Sequence, residues 1–278
     1  MWAMKRDKTD RKRTALWGIK SVFLLFFCVF YAFCGVKTPI VDKKARAEQQ
    51  KWVKMSAYTT YYDTKDGGRC ENIAIAARLI DGVTIQPYGE FSFNQTVGRR
   101  TEEAGFRQAK IIVNGEYVLG VGGGVCQVST TLYNAALKSG LTVLEYHPHS
   151  LLVSYVAPSR DAMVSTHNDL RLLNPYAYPI RLRAAVFDGG IKIAFFGEKE
   201  GDRYEITSKI IEELPPPAPI VKIGEKEEIL RREKMGARSE TYLERYRNGR
   251  LLSRVRLRED VYRPVQGIIV KKVDFSMN

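Results

Sequence analysis

Acidic residues, cysteine and histidine are all scarce in this chain. Its 278 residues hold 31 Asp and Glu against 44 Lys and Arg, for a formal net charge of +13, with only 4 Cys and 3 His. The acid deficit points to anionic surroundings: nucleic acid, acidic lipid headgroups or an anionic cell-wall polymer. Low-complexity tracts, a collagen period and tandem repeats of solenoid length are missing, which excludes fibrous and array architectures. No Lys-Ser/Thr pair follows Gly122, Gly123 and Gly124, which argues against a phosphate loop. The few histidines match no strong metal-ligand spacing, so neither metal nor cofactor is expected. What is present, 45% hydrophobic residues, suffices for one or two domains with real cores.

The first residues are strongly basic, with Lys5, Arg6, Lys8, Arg11, Lys12 and Arg13 against Asp7 and Asp10. An uncharged run over 21–36 follows, and with 16–20 added it reaches the ~20 residues that a bilayer requires. Basic before and exported after is the positive-inside orientation. The expectation is a single-pass protein of the bacterial cell membrane, with the N-terminus cytoplasmic and the rest extracytoplasmic. A cleaved signal peptide is the competing reading, although no good A-x-A site closes the run. Phe33 before Cys34 speaks against a lipoprotein anchor. Export makes nucleic acid an unexpected partner despite the charge. Of the cysteines, Cys28 and Cys34 fall in the apolar run, leaving Cys70 and Cys126 to form either one disulfide or two free thiols.

The expected domains are a basic tail at 1–15, a transmembrane anchor at 16–36, a linker at 37–56, a main domain at 57–200 and a β module at 203–273. The fold class expected is α+β: a mostly antiparallel sheet with packed helices, then a small all-β module, preceded by the transmembrane helix. "AYTTYY" at 57–62 reads as a strand. "CENIAIAARLIDG" puts Ile73, Ala76, Ala77 and Ile80 on one helical face, with Gly82 as the stop. "EFSFNQTVG" and "SLLVSYVAP" read as strands. "AKIIVNGEYVLG", the run turning at Asp188-Gly189 and the run turning at Asn248-Gly249 read as hairpins. A helix over 126–138 buries Val128, Leu132, Ala135 and Ala136, with Gly140 as its cap.

Cys126 then stands in the first turn of a helix directly after a glycine turn. Unpaired N–H groups and the helix dipole lower a thiol's pKa there and can hold an oxyanion. Glycines without side chains also leave room for a peptide. "EYHPHSLLVSY" supplies His149 as candidate base, with His147 on the same face if the segment is extended; His167 reads as a surface residue. Asp161 and Asp169 are candidates to orient the imidazole, each with a turn or cap as the plainer alternative.

"NIAIAARLIDG", "GEFSFNQTVGRRTEEAGF", "GGGVCQVSTTLYNAAL", "HSLLVSYVAPSRDA" and "DLRLLNPYAYPI" resemble the successive blocks of the VanW family. The tail, with Gly224-Glu225, Gly236, Asn248-Gly249 and "DVYRPVQGIIV", resembles the five-glycine (G-five) module. The first resemblance implies a bacterial, vancomycin-resistance-associated protein, some of whose relatives act as L,D-transpeptidases of peptidoglycan. It implies Cys126 as nucleophile and His149 as base, with Asp161 as orienting group. Gly122, Gly123, Gly124, Gln127, Ser129 and Thr130 are the expected substrate-binding residues. The expected partners are peptidoglycan stem peptides, an anionic cell-wall polymer and the membrane. Arg254, Arg256 and Arg258 alternate along one strand and should form a basic row for that polymer, with Val255 and Leu257 buried behind it. Removing 203–278 should then spare the reactivity of Cys126. The alternative is a non-catalytic wall-binding or scaffold protein whose Cys126 is structural or disulfide-bonded.

Overall fold

Asn248-Gly249 shows how local chemistry builds this molecule. Both residues take positive φ, 50° and 78°, the geometry of a tight hairpin turn that keeps the strand twist, and they join Gly236–Arg247 to Arg250–Tyr262. The computed structural model describes residues 52–113, 115–198 and 202–272. Residues Lys51–Asn278 form one compact unit.

In chain order the elements begin with β1 (Val53–Tyr61), α1 (Gly67–Ile80), β2 (Thr84–Ile85), β3 (Glu90–Ser92) and α2 (Phe93–Val97). The hairpin β4 (Gln108–Val113) and β5 (Glu116–Val121) leads into α3 (Val125–Lys138). Then come β6 (Thr142–Glu145), β7 (Arg171–Leu173), β8 (Ile180–Phe187) and β9 (Gly190–Gly197). The last part holds β10 (Arg203–Leu214), β11 (Ile220–Gly224), β12 (Glu228–Arg231), β13 (Gly236–Arg247), β14 (Arg250–Tyr262) and β15 (Ile268–Lys272). The sheets run β1-β9-β8-β2, β3-β7-β6, β4-β5, β10-β13-β14 and β11-β15-β12. All pairings are antiparallel except β11 with β15.

Helix α3 is the hub. It packs against β1, β9, β6, β10 and α1, and every residue from Gln127 to Leu137 is buried. A helix enclosed all round cannot be one-sided. Its polar residues must therefore find partners inside, and among the described residues no buried side-chain N or O lacks one. Helix α1 buries Ile73, Ala76, Ala77 and Ile80 and stops at Gly82, φ +81°.

Three expectations are corrected. The described residues are 47% strand, with only three helices of 14, 5 and 14 residues, so the fold is mostly β and not α+β. Strands of 12 and 13 residues in the tail and repeated hairpins carry the balance. Second, among the described residues no helix is long and apolar enough to cross a membrane, which goes against the expected single-pass protein anchored by an N-terminal helix. The expected basic tail and the segment 16–36, with most of the linker, lie outside the described residues. Third, two expected strands change character. Ser92 Oγ accepts from Gln95 N at 3.1 Å and so caps α2 in the middle of "EFSFNQTVG". "SLLVSYVAP" belongs to a stretch without helix or strand over 146–170.

Candidate active site

The glycine triplet turns the chain from β5 into α3. Gly122 and Gly124 have φ of +87° and +105°, conformations that side chains resist. A Cβ on Gly123 would come within 2.7 Å of Lys110 O, so Gly123 is needed for packing under β4. Backbone reversal and close packing account for the three glycines. They deliver Cys126, half-buried, as the second residue of α3.

Opposite the thiol stands a buried imidazole. His149 Nδ1 meets Asp161 Oδ2 at 2.6 Å, and the His149 N–H donates to the same oxygen at 2.7 Å. This double contact fixes the ring and leaves Nε2 for Cys126. Burial disfavours the His149 charge, but hydrogen bonds to Asp161 and Cys126 outweigh it and raise the pKa to about 9. Burial pushes the Cys126 thiol up, while His149, a backbone hydrogen bond at Val164 and Arg100 pull it down, for a net lowering. Asp161 is also held below its ordinary value, burial being overcome by His149, Arg258 and Tyr262. The directions of these shifts favour a thiolate beside an imidazolium and a carboxylate, although the Cys126 Sγ also donates to Val164 O at 3.3 Å.

Irregular segment 146–170 carries His149 and Asp161, and side chains of α3 pin it. Ser129 Oγ donates to Ala162 O at 2.6 Å, Thr130 Oγ1 accepts from Ala162 N at 2.9 Å, and Asn134 Nδ2 donates to Arg160 O at 2.7 Å. Ser129 and Thr130 are fully buried and do not line the cleft, so their expected substrate contact is corrected to a role in placing Asp161. Gln127 borders the cleft, but Thr60, Tyr61 and Arg69 occupy its amide. Asp169 accepts from Ser92 Oγ and Asn94 N as a cap, His147 pairs with Glu145 at 3.0 Å, and His167 is exposed. Cys70 and Cys126 are both free thiols.

Two site residues come from the tail: Tyr262, absent from the expectations, and Arg258, expected in a basic row facing outward. Tyr262 donates to Asp161 Oδ1 at 2.5 Å, and Arg258 donates to Asp161 O at 2.7 Å. Arg258 also pairs with Asp260 at 2.5 Å, its side chain only 1% exposed, and lies 4.5 Å from the Tyr146 ring centroid. The expected basic row therefore fails. Thr241 faces Arg258 while the next residue, Tyr242, faces Arg256; the bulge at Leu257 shifts the alternation and turns Arg258 inward. Arg256 and Arg254 pair with glutamates, and Val255 is exposed.

Cys126 and His149 open onto a cleft of about 1020 Å³. Its walls include the glycine turn, Arg69, Arg99 and Arg100, Lys110 to Val113 of β4, and Tyr155. Among the described residues no group of three or more His, Cys, Asp or Glu could hold a metal ion.

Residues 68–196 match the family model described as VanW like protein. YoaR of Bacillus subtilis (strain 168), described as an uncharacterized protein, is 42% identical over 144 residues, which is 51% of this chain and 48% of that one. The vancomycin B-type resistance protein VanW of Enterococcus faecalis (strain ATCC 700802 / V583) is 28% identical over 90 residues, 32% of either chain. The matched region thus spans less than half the length of these relatives. Among solved structures, the crystal structure of HP0197-G5 aligns with 25% of this chain and 97% of its own at 20% identity, with a TM-score of 0.15. A score so low carries no argument about the tail.

Proposed function

The chain belongs to the VanW family, a vancomycin-resistance-associated family, through residues 68–196, and from that premise we propose that it is a cysteine acyltransferase acting on peptidoglycan stem peptides as an L,D-transpeptidase. The observation that carries the reading is the Cys126–His149–Asp161 chain facing one cleft.

The chemistry follows from the charges. Cys126 Sγ, its proton already on His149, attacks the carbonyl carbon of the scissile peptide bond, forming a C–S bond. The Cys126 N–H in the first turn of α3 stabilises the oxyanion, since its neighbours Val125 N–H and Gln127 N–H already donate to Gly122 O and Gly124 O. The C–N bond breaks as His149 passes its proton to the leaving amine. A second stem's amine then attacks the thioester, His149 takes up its proton, the new C–N bond forms and the C–S bond breaks. Asp161 holds the imidazole in the required tautomer throughout. Water as acceptor would give a peptidase with the same residues.

Mass spectrometry of the protein incubated with tetrapeptide muropeptides tests this. The expected result is a covalent adduct on Cys126 lacking one terminal D-Ala, together with cross-linked product. Neither adduct nor product under conditions in which Cys126 is alkylated rapidly overturns it.

A further inference from the structure

Arg100 enters the cleft without a carboxylate bonded to its guanidinium. Its stem lies against the glycine turn: a Cβ on Gly122 would stand 3.1 Å from Arg100 Cβ. Its guanidinium donates to Asn94 Oδ1 at 2.6 Å and lies 5.7 Å from the Phe93 ring centroid. Asn94 is itself fixed, its Nδ2 donating to Ser165 O and Asn168 O at 3.0 Å each. The arginine is therefore held in place by a neutral amide and a ring. Among the described residues its recorded polar partner is that amide, and no carboxylate pairs with it. The carboxylates bordering the cleft serve their own turns: Asp63 accepts from Lys65 N and Asp66 from Arg69 N. Arg99 is exposed beside it, and Lys110 lines the same cleft.

A desolvated charge is costly unless an opposite charge meets it. Burial lowers the pKa of Arg100, and Cys126 and, at longer range, Asp169 offset this. Asp169 spends its hydrogen bonds on Ser92 and Asn94, so the guanidinium shares the nucleophile's electrostatic neighbourhood but not a bonded carboxylate. The fork of an arginine matches a carboxylate better than any other common anion of a peptide.

We propose that Arg100 is a binding residue for a carboxylate on the acyl donor, so that the site selects peptides ending in a free carboxylate one residue beyond the attacked carbonyl. This rests on the acyl-transfer reading for the identity of the donor, but the anion preference stands on Arg100 alone. It also explains why a reactive cysteine would be set in a cleft short of free acid groups.

Two alkylating agents of nearly equal size, iodoacetate and iodoacetamide, test it without any turnover. Their rate ratio at Cys126 cancels the thiolate fraction. In the native protein the ratio should favour iodoacetate well above a free-cysteine reference. Arg100→Gln should lower the ratio by about ten-fold, and Arg100→Lys should retain part of the preference because the charge stays. Protection of Cys126 by an N-acetylated dipeptide ending in D-Ala carboxylate should likewise exceed protection by its C-terminal amide, and Arg100→Gln should erase the difference. An unchanged ratio in folded Arg100→Gln, checked by circular dichroism, overturns the proposal. If the ratio falls but no acyl adduct ever forms, the carboxylate site stands and the acyl-transfer reading fails.

Discussion

At Cys126 and His149 the sum of opposing influences sets the chemistry. Burial alone would leave both groups neutral, yet their mutual influence and Asp161 lower the Cys126 pKa and raise that of His149, which favours the ion pair. The pH profile follows with definite signs. Thiolate forms below the ordinary thiol range because the Cys126 pKa is lowered, and the imidazolium persists until pH rises through about 9. Acylation by an amide substrate should therefore fall on the alkaline side near pH 9, as the acid that protonates the leaving amine is lost. Alkylation by iodoacetamide, which needs no acid, should not fall there. Stopped-flow profiles of both reactions check this. Replacing His149 by Ala should slow acylation by roughly 100-fold or more, whereas His147→Ala should leave most activity, because His147 is tied to Glu145 and lies outside the cleft lining. The reverse ranking would reassign the base. Cys126→Ala should abolish the adduct and alter stability by only about 1 kcal/mol, since a small half-buried side chain is lost.

Among the elements, the start of α3 matters most. Gly124 combines φ of +105° with a Cβ position 3.0 Å from Arg69 Cγ and 3.2 Å from Ile73 Cγ1. Gly124→Ala should destabilise the fold by roughly 1–3 kcal/mol through backbone strain and slow Cys126 alkylation, whereas Gly82→Ala, with open space around its Cβ, should spare the alkylation. Thermal melts and labelling rates separate the two. The sequence made this element readable, as it did α1 and the hairpins at Asp188-Gly189 and Asn248-Gly249. In each case the signal is local: a turn dipeptide or a 3.6-residue apolar period. The segment 146–170 was unreadable for the opposite reason. Its backbone groups are satisfied by partners far along the chain, such as Ser129 Oγ on Ala162 O and the Arg263 N–H on Ser150 O, and no period betrays such contacts. His149 and Asp161 could still be singled out, as a scarce residue type and a member of a recognisable block. Arg258 could be singled out only for an outward-facing row, because the strict period of two breaks at the Leu257 bulge.

At the scale of the molecule, the tail packs onto the half that matches the family model. Besides Tyr262 and Arg258, Ser159 Oγ meets Ser239 Oγ at 2.6 Å, Thr241 Oγ1 donates to Ser159 O at 2.8 Å, and Ser208 Oγ donates to Pro158 O. Lys138 at the end of α3 pairs with Glu205 at 2.8 Å. All but the last of these contacts converge on residues 158–161, so the tail braces the segment whose Asp161 orients His149. These contacts argue against the expectation that the tail can be removed without harm to the thiol. Deleting 203–278 should reduce Cys126 alkylation near neutral pH to the rate of an ordinary thiol, as Asp161 loses both side-chain donors to Oδ1. Because the truncated chain would also lose core contacts, Tyr262→Phe is the sharper probe. It keeps the buried ring and removes only the hydroxyl, which donates to Asp161 Oδ1 and accepts from the Ser159 N–H, leaving a buried carboxylate oxygen and a buried N–H each short of a partner. Such a loss costs about 1–3 kcal/mol. If the hydroxyl positions Asp161, the thiolate limb of the alkylation profile moves to higher pH, because a less firmly held carboxylate supports the imidazolium less well. If the hydroxyl serves stability alone, the melting temperature falls and the limb stays where it was.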